Sequence, residues 1–196
     1  MTRRLASIPG TYFKDLYADD PDPWGFATSD YEREKYDATL SAIGGGHRHA
    51  LEVGCSIGVF TRRLAERCDR LLAVDVAEAA LLQARRRCAD RSNVEFRRMQ
   101  LPAEVPTGRF DLIILSEVGY YWSLADLDRF LDWLRDALTT DGLFALVHWT
   151  GDTDYPLTGD AVHDRVARVV QDHLRSVRRA VNISYRLDVY AGPGRL

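Results

Sequence analysis

A chain of 196 residues, 46% hydrophobic and 28% charged, has the composition of one folded domain with a full core, not of a disordered tail or a pair of domains. Its 26 basic and 29 acidic residues leave a formal charge of −3, which argues against a generally basic nucleic-acid-binding surface. No stretch reaches the ~18 apolar residues that a membrane helix needs, and the first residues carry no apolar run of signal-peptide length, so a cytoplasmic protein with no membrane partner is expected.

The first forty-odd residues are rich in aromatics and acids and are broken by Asp20-Pro21-Asp22-Pro23. They predict a short helix, a proline turn, and a second helix from about Ser29 to Ile43. Ser29 with Glu32 three residues on reads as a capping box, and Gly44-Gly45-Gly46 stops the helix. From there strand and helix signals alternate. Strands are expected at 50–53, 71–74, 94–97, 110–115 and 143–148, with helices through 61–66, 77–88 and 124–138 between them. Phe110 to Leu115 is apolar apart from Asp111, as a central strand buried on both faces would be. Asp141-Gly142 reads as the turn that leads into the fifth strand. A further helix over 160–174 precedes strands near 177–183 and 187–191, joined by a short turn. Repeated strand–helix units imply right-handed parallel crossovers. The expected fold class is α/β: a doubly wound, Rossmann-like, seven-stranded, mostly parallel sheet with an antiparallel last strand. Residues 1–46 are expected to form an N-terminal helical lid on a domain spanning 47–196.

Sheets of this kind bind ligands at the carboxyl ends of their strands. The first such end is Glu52-Val53-Gly54-Cys55-Ser56-Ile57-Gly58, where Gly54 permits a sharp turn and Gly58 a close helix start. The glycine spacing is not that of dinucleotide binders, and the P-loop lysine is missing. The second strand ends in Asp75, placed either to accept hydrogen bonds from both hydroxyls of a ribose or to cap the helix that follows. After the third strand, Gln100 and Leu101 offer an amide and an apolar contact to a base. The fourth ends in Ser116-Glu117-Val118-Gly119-Tyr120-Tyr121-Trp122, a carboxylate followed by aromatics where the sheet opens.

Glu52 through Gly58 resembles motif I of class I S-adenosylmethionine-dependent methyltransferases, with Ser56 where the middle glycine usually sits. Asp75 matches their ribose-binding acid and Phe110-Asp111-Leu112-Ile113 their strand-four motif, while Gln100 stands where that family often has an aspartate. A narrower resemblance is to the NodS family of nodulation-factor N-methyltransferases, which methylate the free amine of a deacetylated chitooligosaccharide. Three blocks carry it: Asp22-Pro23-Trp24 with Tyr31-Glu32-Arg33-Glu34; Leu51-Glu52-Val53-Gly54-Cys55 with Phe60-Thr61; and Ser116 to Tyr121. After about His148 the likeness fades.

The resemblance implies S-adenosyl-L-methionine as cofactor, S-adenosyl-L-homocysteine as its product, and a small polar acceptor such as an amino sugar. It places Glu52, Gly54, Cys55, Gly58, Phe60, Asp75, Val76, Gln100, Leu101, Ser116 and Tyr121 around the cofactor, with Trp24, Tyr31 and Arg33 closing over it. Glu117, Tyr120 and His148 are the expected catalytic set. Each assignment has a plainer counterpart. Glu117 reads equally as an anchor for its own turn, His148 as a packed strand-end residue, the strand-four aromatics as core, and the N-terminal segment as a helix packed on the sheet. Rival functions are an O-methyltransferase of a secondary metabolite and a non-catalytic nucleoside-binding module. His47-Arg48-His49 lacks a third metal ligand nearby and reads as a solvated loop. His163 and Asp164 are expected on an exposed helix face. Cys55, Cys68 and Cys88 have no metal-site spacing, and the latter two are expected as packed residues on helices.

Overall fold

A computed structural model describes residues 3–195; Met1, Thr2 and Leu196, which fall within the two expected domain ranges, lie outside the described residues. In chain order the elements are α1 (Gly10–Asp19), α2 (Asp30–Ile43), β1 (Ala50–Val53), α3 (Val59–Leu64), β2 (Leu71–Asp75), α4 (Glu78–Arg87), β3 (Val94–Arg98), β4 (Phe110–Ser116), α5 (Leu124–Ala137), β5 (Leu138–Trp149), α6 (Gly159–Val170), β6 (Arg175–Val181) and β7 (Tyr185–Ala191). A single 3₁₀ turn extends α3, and another, Gly119–Tyr121, follows β4. The sheet runs β3-β2-β1-β4-β5-β7-β6. Strands β1 to β5 pair in parallel, whereas β7 is antiparallel to both its neighbours, β5 and β6.

Period-two alternation along the central strands divides the core between the sheet's two faces. Ile113 and Leu115 of β4 pack with Leu51, Val53, Phe144 and Leu146 against Phe130, Leu131 and Leu134 of α5 and Val162 and Val166 of α6. Leu112 and Ile114 point the other way, onto a cluster with Tyr36, Leu40 and Ile43 of α2 and Phe60 and Leu64 of α3. Helix α2 is therefore a full member of the domain core. It begins as the capping box predicts, with Ser29 Oγ accepting the Glu32 N–H at 3.2 Å.

Two expectations need correction. Strand β5 starts at Leu138, not 143: Phe110 pairs with Leu138 and Leu112 with Leu143, so Asp141-Gly142 sits in a bulge within the strand. A Cβ at Gly142 would stand 2.8 Å from Leu138 Cδ1, so the bulge closes tightly on its own strand and reads in sequence like a turn. The last two strands form the antiparallel end of the sheet: β7 inserts between β5 and β6 and is buried along its whole length, while β6, exposed at all but one position, is the edge. The segment His47–His49 is not a solvated loop. His47 is buried and its ring bonds the Ile43 carbonyl, while Asp111 on β4 accepts the backbone N–H groups of Arg48 and His49 at 2.8 and 2.9 Å. The one charged residue of the central strand thus ties down the approach to β1. All three cysteines are free and buried; Cys68 and Cys88 lie just past helix ends.

Among the described residues no group of His, Cys, Asp or Glu is placed to hold a metal ion, and no helix is long and apolar enough to cross a membrane.

Candidate active site

The carboxyl ends of β1, β2 and β4 and the loop after β3 open into a cavity of about 450 Å³, within the roughly 300–1,000 Å³ typical of small-molecule sites. Its floor is the turn after β1. The N–H groups of Gly54 and Cys55 both donate to the Val74 carbonyl, at 2.8 and 3.0 Å. Gly54 has φ +78°, and a Cβ there would stand 2.2 Å from Val118 Cγ2, so only glycine fits between the two strand ends.

Asp75 closes β2 beside this turn. Its Oδ2 accepts the Ser56 N–H at 2.8 Å and its Oδ1 the Ala77 N–H at 2.9 Å. The N-cap of α4 is Ala77, so Asp75 braces the turn without capping the helix, and each carboxylate oxygen keeps a free lone pair. Burial raises its pKa, and the amides that bond it offset the rise only in part.

The cavity's roof is N-terminal. Ile8, Gly10, Phe13 and Tyr17 line it, as do Trp24 and Phe26 of the proline turn. Tyr17 and Ser56 share a hydrogen bond at 2.5 Å, which fastens α1 over Asp75. Gly10 lies so close to Val76 and Gln100 that a Cβ would meet them at 2.6 and 3.4 Å. The strand of chain before α1 is held by Ile8 N–H donating to the Tyr121 carbonyl at 2.8 Å.

At the other end of the cavity stands a charged cluster. Glu117 has φ +58°, a left-handed backbone rare for a residue with a side chain. Its Oε1 accepts from Lys35 Nζ at 2.5 Å, and its Oε2 accepts from the Tyr120 hydroxyl at 2.7 Å and the Trp149 N–H at 3.0 Å. Lys35 is 1% exposed and also donates to Glu32 Oε1 at 2.8 Å. Burial works against its charge, but Glu117 and Glu32 outweigh that and raise its pKa. Burial raises Glu32 despite Lys35 beside it. Glu32 Oε2 and Thr153 Oγ1, both in residues that border the cavity, are buried and have no hydrogen-bond partner among the described residues. Two carboxylates against one ammonium, with two polar atoms unsatisfied, make this end suited to a polar ligand carrying donors.

A sequence model of the nodulation protein S (NodS) family matches residues 11–152, which include most of the roof, the β1 turn, Asp75 and the Glu117 cluster. The chain belongs to the NodS family. Among NodS relatives, nodulation protein S of Bradyrhizobium diazoefficiens is 39% identical over 110 residues, 55% of this chain and 52% of that protein; the one from Sinorhizobium fredii is 35% identical over the same share of this chain and 50% of its own. The match thus spans about half the length of these curated relatives. Of solved structures, a putative methyltransferase from Pseudomonas syringae is 34% identical with a TM-score of 0.73, over 82% of this chain and 98% of that one. The N-methyltransferase NodS from Bradyrhizobium japonicum WM9, in complex with S-adenosyl-L-homocysteine, superposes with a TM-score of 0.77 over 93% and 97% of the two chains at 23% identity. The fold is that of class I methyltransferases.

Against the residues that NodS likeness suggested, the structure brings Trp24, Tyr31, Gly54, Asp75, Val76, Gln100, Leu101, Ser116, Glu117, Tyr120 and Tyr121 to the cavity. Glu52, Cys55 and Phe60 lie behind the β1 turn, on a side pocket of about 40 Å³ that shares Gly54, Ser56 and Glu117 with the main one. Three do not reach it. Arg33 points to solvent and pairs with Asp30 one turn away on α2. Gly58 serves packing, since a Cβ there would meet Ala84 Cα at 2.8 Å. His148 is wholly buried, with Nε2 2.9 Å from the Gly119 N, and does not border the cavity. His163 is not exposed either: it is buried against Asp188 at 2.8 Å. Of the strand-four aromatics, Trp122 also packs on Phe130 in the core.

Lys35 and Tyr17 escaped the reading of the sequence. Lys35 left a trace: it is one of only two lysines in an arginine-rich chain and lies three residues after Glu32, on the face of α2 that carries Tyr36 and Thr39.

Proposed function

We propose that this chain is an S-adenosylmethionine-dependent N-methyltransferase whose acceptor is an amine on a small polar molecule, an amino sugar foremost. What carries the reading is the pairing, in one cavity, of Asp75 at the β2 end with the acid-rich Glu117–Glu32–Lys35 cluster at the β4 end. The residues fit the cofactor: Asp75 keeps two lone pairs for a ribose diol, Gly54 lets the backbone approach closely, and Gln100 and Leu101 border the place of a base. When bound, S-adenosylmethionine supplies a methyl group made electrophilic by a sulfonium charge.

The chain's own work is positioning. Trp24, Phe13 and Tyr17 cover the cavity and exclude water. Glu117, with three of its four lone pairs already bonded, offers the fourth to an acceptor N–H and holds the nitrogen in line. It orients the amine, since its three existing hydrogen bonds fix both carboxylate oxygens in place. The amine attacks as its free base, since a protonated nitrogen has no lone pair. Excess negative charge at this end favours an amine over a carboxylate acceptor, and therefore N- over O-methylation of an acid.

Calorimetric titration with S-adenosylmethionine, S-adenosylhomocysteine and NAD tests the cofactor. Micromolar binding of the first two and none of NAD is expected, and failure of both sulfur nucleosides to bind would overturn the reading in favour of a different ligand. A methyl-transfer screen should then respond to glucosamine oligomers and not to their fully N-acetylated counterparts. Equal response to both would remove the amine assignment.

A further inference from the structure

Beneath the Glu117 turn, and outside the cavity, lies a line of buried groups that the proposed reaction does not use. His148 on β5 and His163 on α6 are each 0% exposed, and Asp188 on β7 is 1% exposed. The hydrogen-bond pattern assigns every proton along the line. A backbone N–H can only donate, so Gly119 N–H at 2.9 Å makes His148 Nε2 a bare acceptor and puts that ring's proton on Nδ1. Asp188 is acceptor-only, so His163 Nδ1, 2.8 Å away, carries a proton. His148 Nδ1 and His163 Nε2 face each other at 3.4 Å. Were His163 a cation, two N–H groups would point at one another there; both rings are therefore neutral, and both are Nδ1–H tautomers. The donor direction runs one way, from Gly119 through His148 and His163 to Asp188.

Asp188 is held as a carboxylate by Arg186 Nε at 3.0 Å and Arg179 Nε at 3.3 Å. Its charge polarises the two rings in series and makes His148 Nε2 a better acceptor for the Gly119 amide. That amide lies two residues after Glu117, whose left-handed backbone needs an external hold. On the other side of the strained residue, Glu117 N–H donates to the Val147 carbonyl at 2.9 Å. A Cβ at Gly119 would come within 2.9 Å of His148 Nε2 and 2.8 Å of Val162 Cγ1, so the turn rests directly on the ring and on α6.

We propose that His148, His163 and Asp188 form a tautomer-locked clamp on the Gly119 amide, which positions Glu117 and Tyr120 for the acceptor. They are positioning residues and touch neither cofactor nor acceptor. The inference rests on the proposed reading of Glu117 as the acceptor-side group. A proton added to His148 would fall on Nε2, against the Gly119 N–H, and open the clamp. The surroundings oppose that proton. His148 faces Lys35 of α2, His163 of α6 and the Tyr120 ring, and burial, His163 and Lys35 all keep it neutral. His163 faces Asp188 and Arg186 of β7 and Asp160 of its own helix, and there burial outweighs the pull of Asp188.

Nitrogen-15 imidazole spectroscopy of the intact chain reads the tautomers directly. At neutral pH both rings should appear as Nδ1–H tautomers and fail to titrate in the ordinary histidine range; an Nε2–H signal from either ring, or ordinary titration of either, overturns the clamp. In His148→Phe, hydrogen exchange at Gly119 should speed up about tenfold or more, and His148→Gln, whose amide oxygen can accept the same bond, should restore it. Unchanged Gly119 exchange in a folded His148→Phe also overturns it. S-adenosylhomocysteine titration of the same samples separates the two claims: failure of the wild type to bind removes the cofactor reading and leaves the tautomer result standing.

Discussion

Lys35 takes its charge to a place where water cannot follow, and its two carboxylate partners, with the Tyr31 ring 5.1 Å away, make that tolerable. Removing one member of such a group is costlier than the bonds it makes, because the partners left behind are buried and uncompensated. Lys35→Met should lower unfolding free energy by about 3 kcal/mol in denaturant melts, with a smaller loss in Lys35→Met/Glu117→Gln, where one stranded charge is also removed. Asp75→Ala should weaken S-adenosylhomocysteine binding by roughly ten- to a hundredfold, the size expected for lost hydrogen bonds to a charged group. Unchanged calorimetric affinity would remove the ribose assignment. Gly54 and Asp75 were legible in the sequence because a turn between strand and helix is local chemistry. The burial of His163 and Lys35 was not, because it is created by β7 and α2 packing from far along the chain, although His148 did read as a packed strand-end residue.

Helix α1 and the proline turn are attached to the domain differently from α2. Helix α2 shares a hydrophobic cluster with the sheet, whereas α1 reaches the cavity through Phe13 and Tyr17, fastened by the Tyr17–Ser56 bond and by the strap at Ile8. We propose that the lid is α1 and the turn after it, with α2 as its fixed frame. Tyr17→Phe should then speed S-adenosylhomocysteine release about three- to tenfold in stopped-flow displacement, the worth of one hydrogen bond. It should leave thermal stability of the free protein nearly unchanged. By contrast, Ser29→Ala removes the α2 cap and should cost about 1 kcal/mol of stability without altering release. At this scale the sequence announced each element through caps, glycines and period-two runs. It misplaced the start of β5 because a bulge uses the same Asp-Gly chemistry as a turn. It also left β7's position open, since pairing order among distant strands has no local signal.

Across the whole molecule, buried titratable groups set opposing pH slopes. Burial pushes the Glu52 carboxyl up to about 8, well above the ordinary glutamate value, so the folded chain holds a proton there that the unfolded chain has released. The stability this contributes is full below the ordinary value and is lost as pH rises through about 8. The lowered histidines act on the acid side: the unfolded state takes up protons below the ordinary histidine value while His148 and His163 refuse them, so stability falls as pH drops there. Glu52→Gln, which cannot ionise, should raise the melting temperature at pH 8.5 relative to wild type by more than at pH 5.5. An equal shift at both would show that Glu52 is ionised in the fold.

The placement of β7 has a further consequence for how the molecule is made. Its seven residues come after β6 in the chain, yet they fill the gap between β5 and β6. During synthesis, β1 to β5 can pair as each emerges, but the edge of β5 stays open until Ala191 has cleared the ribosome. That edge is apolar from Leu143 to Val147, the composition that recruits strands from other chains. Nascent chains stalled within β6 should therefore be the aggregation-prone species and the preferred clients of chaperones, and docking of the β6–β7 hairpin onto β5 should be the step that makes the protein safe from its neighbours.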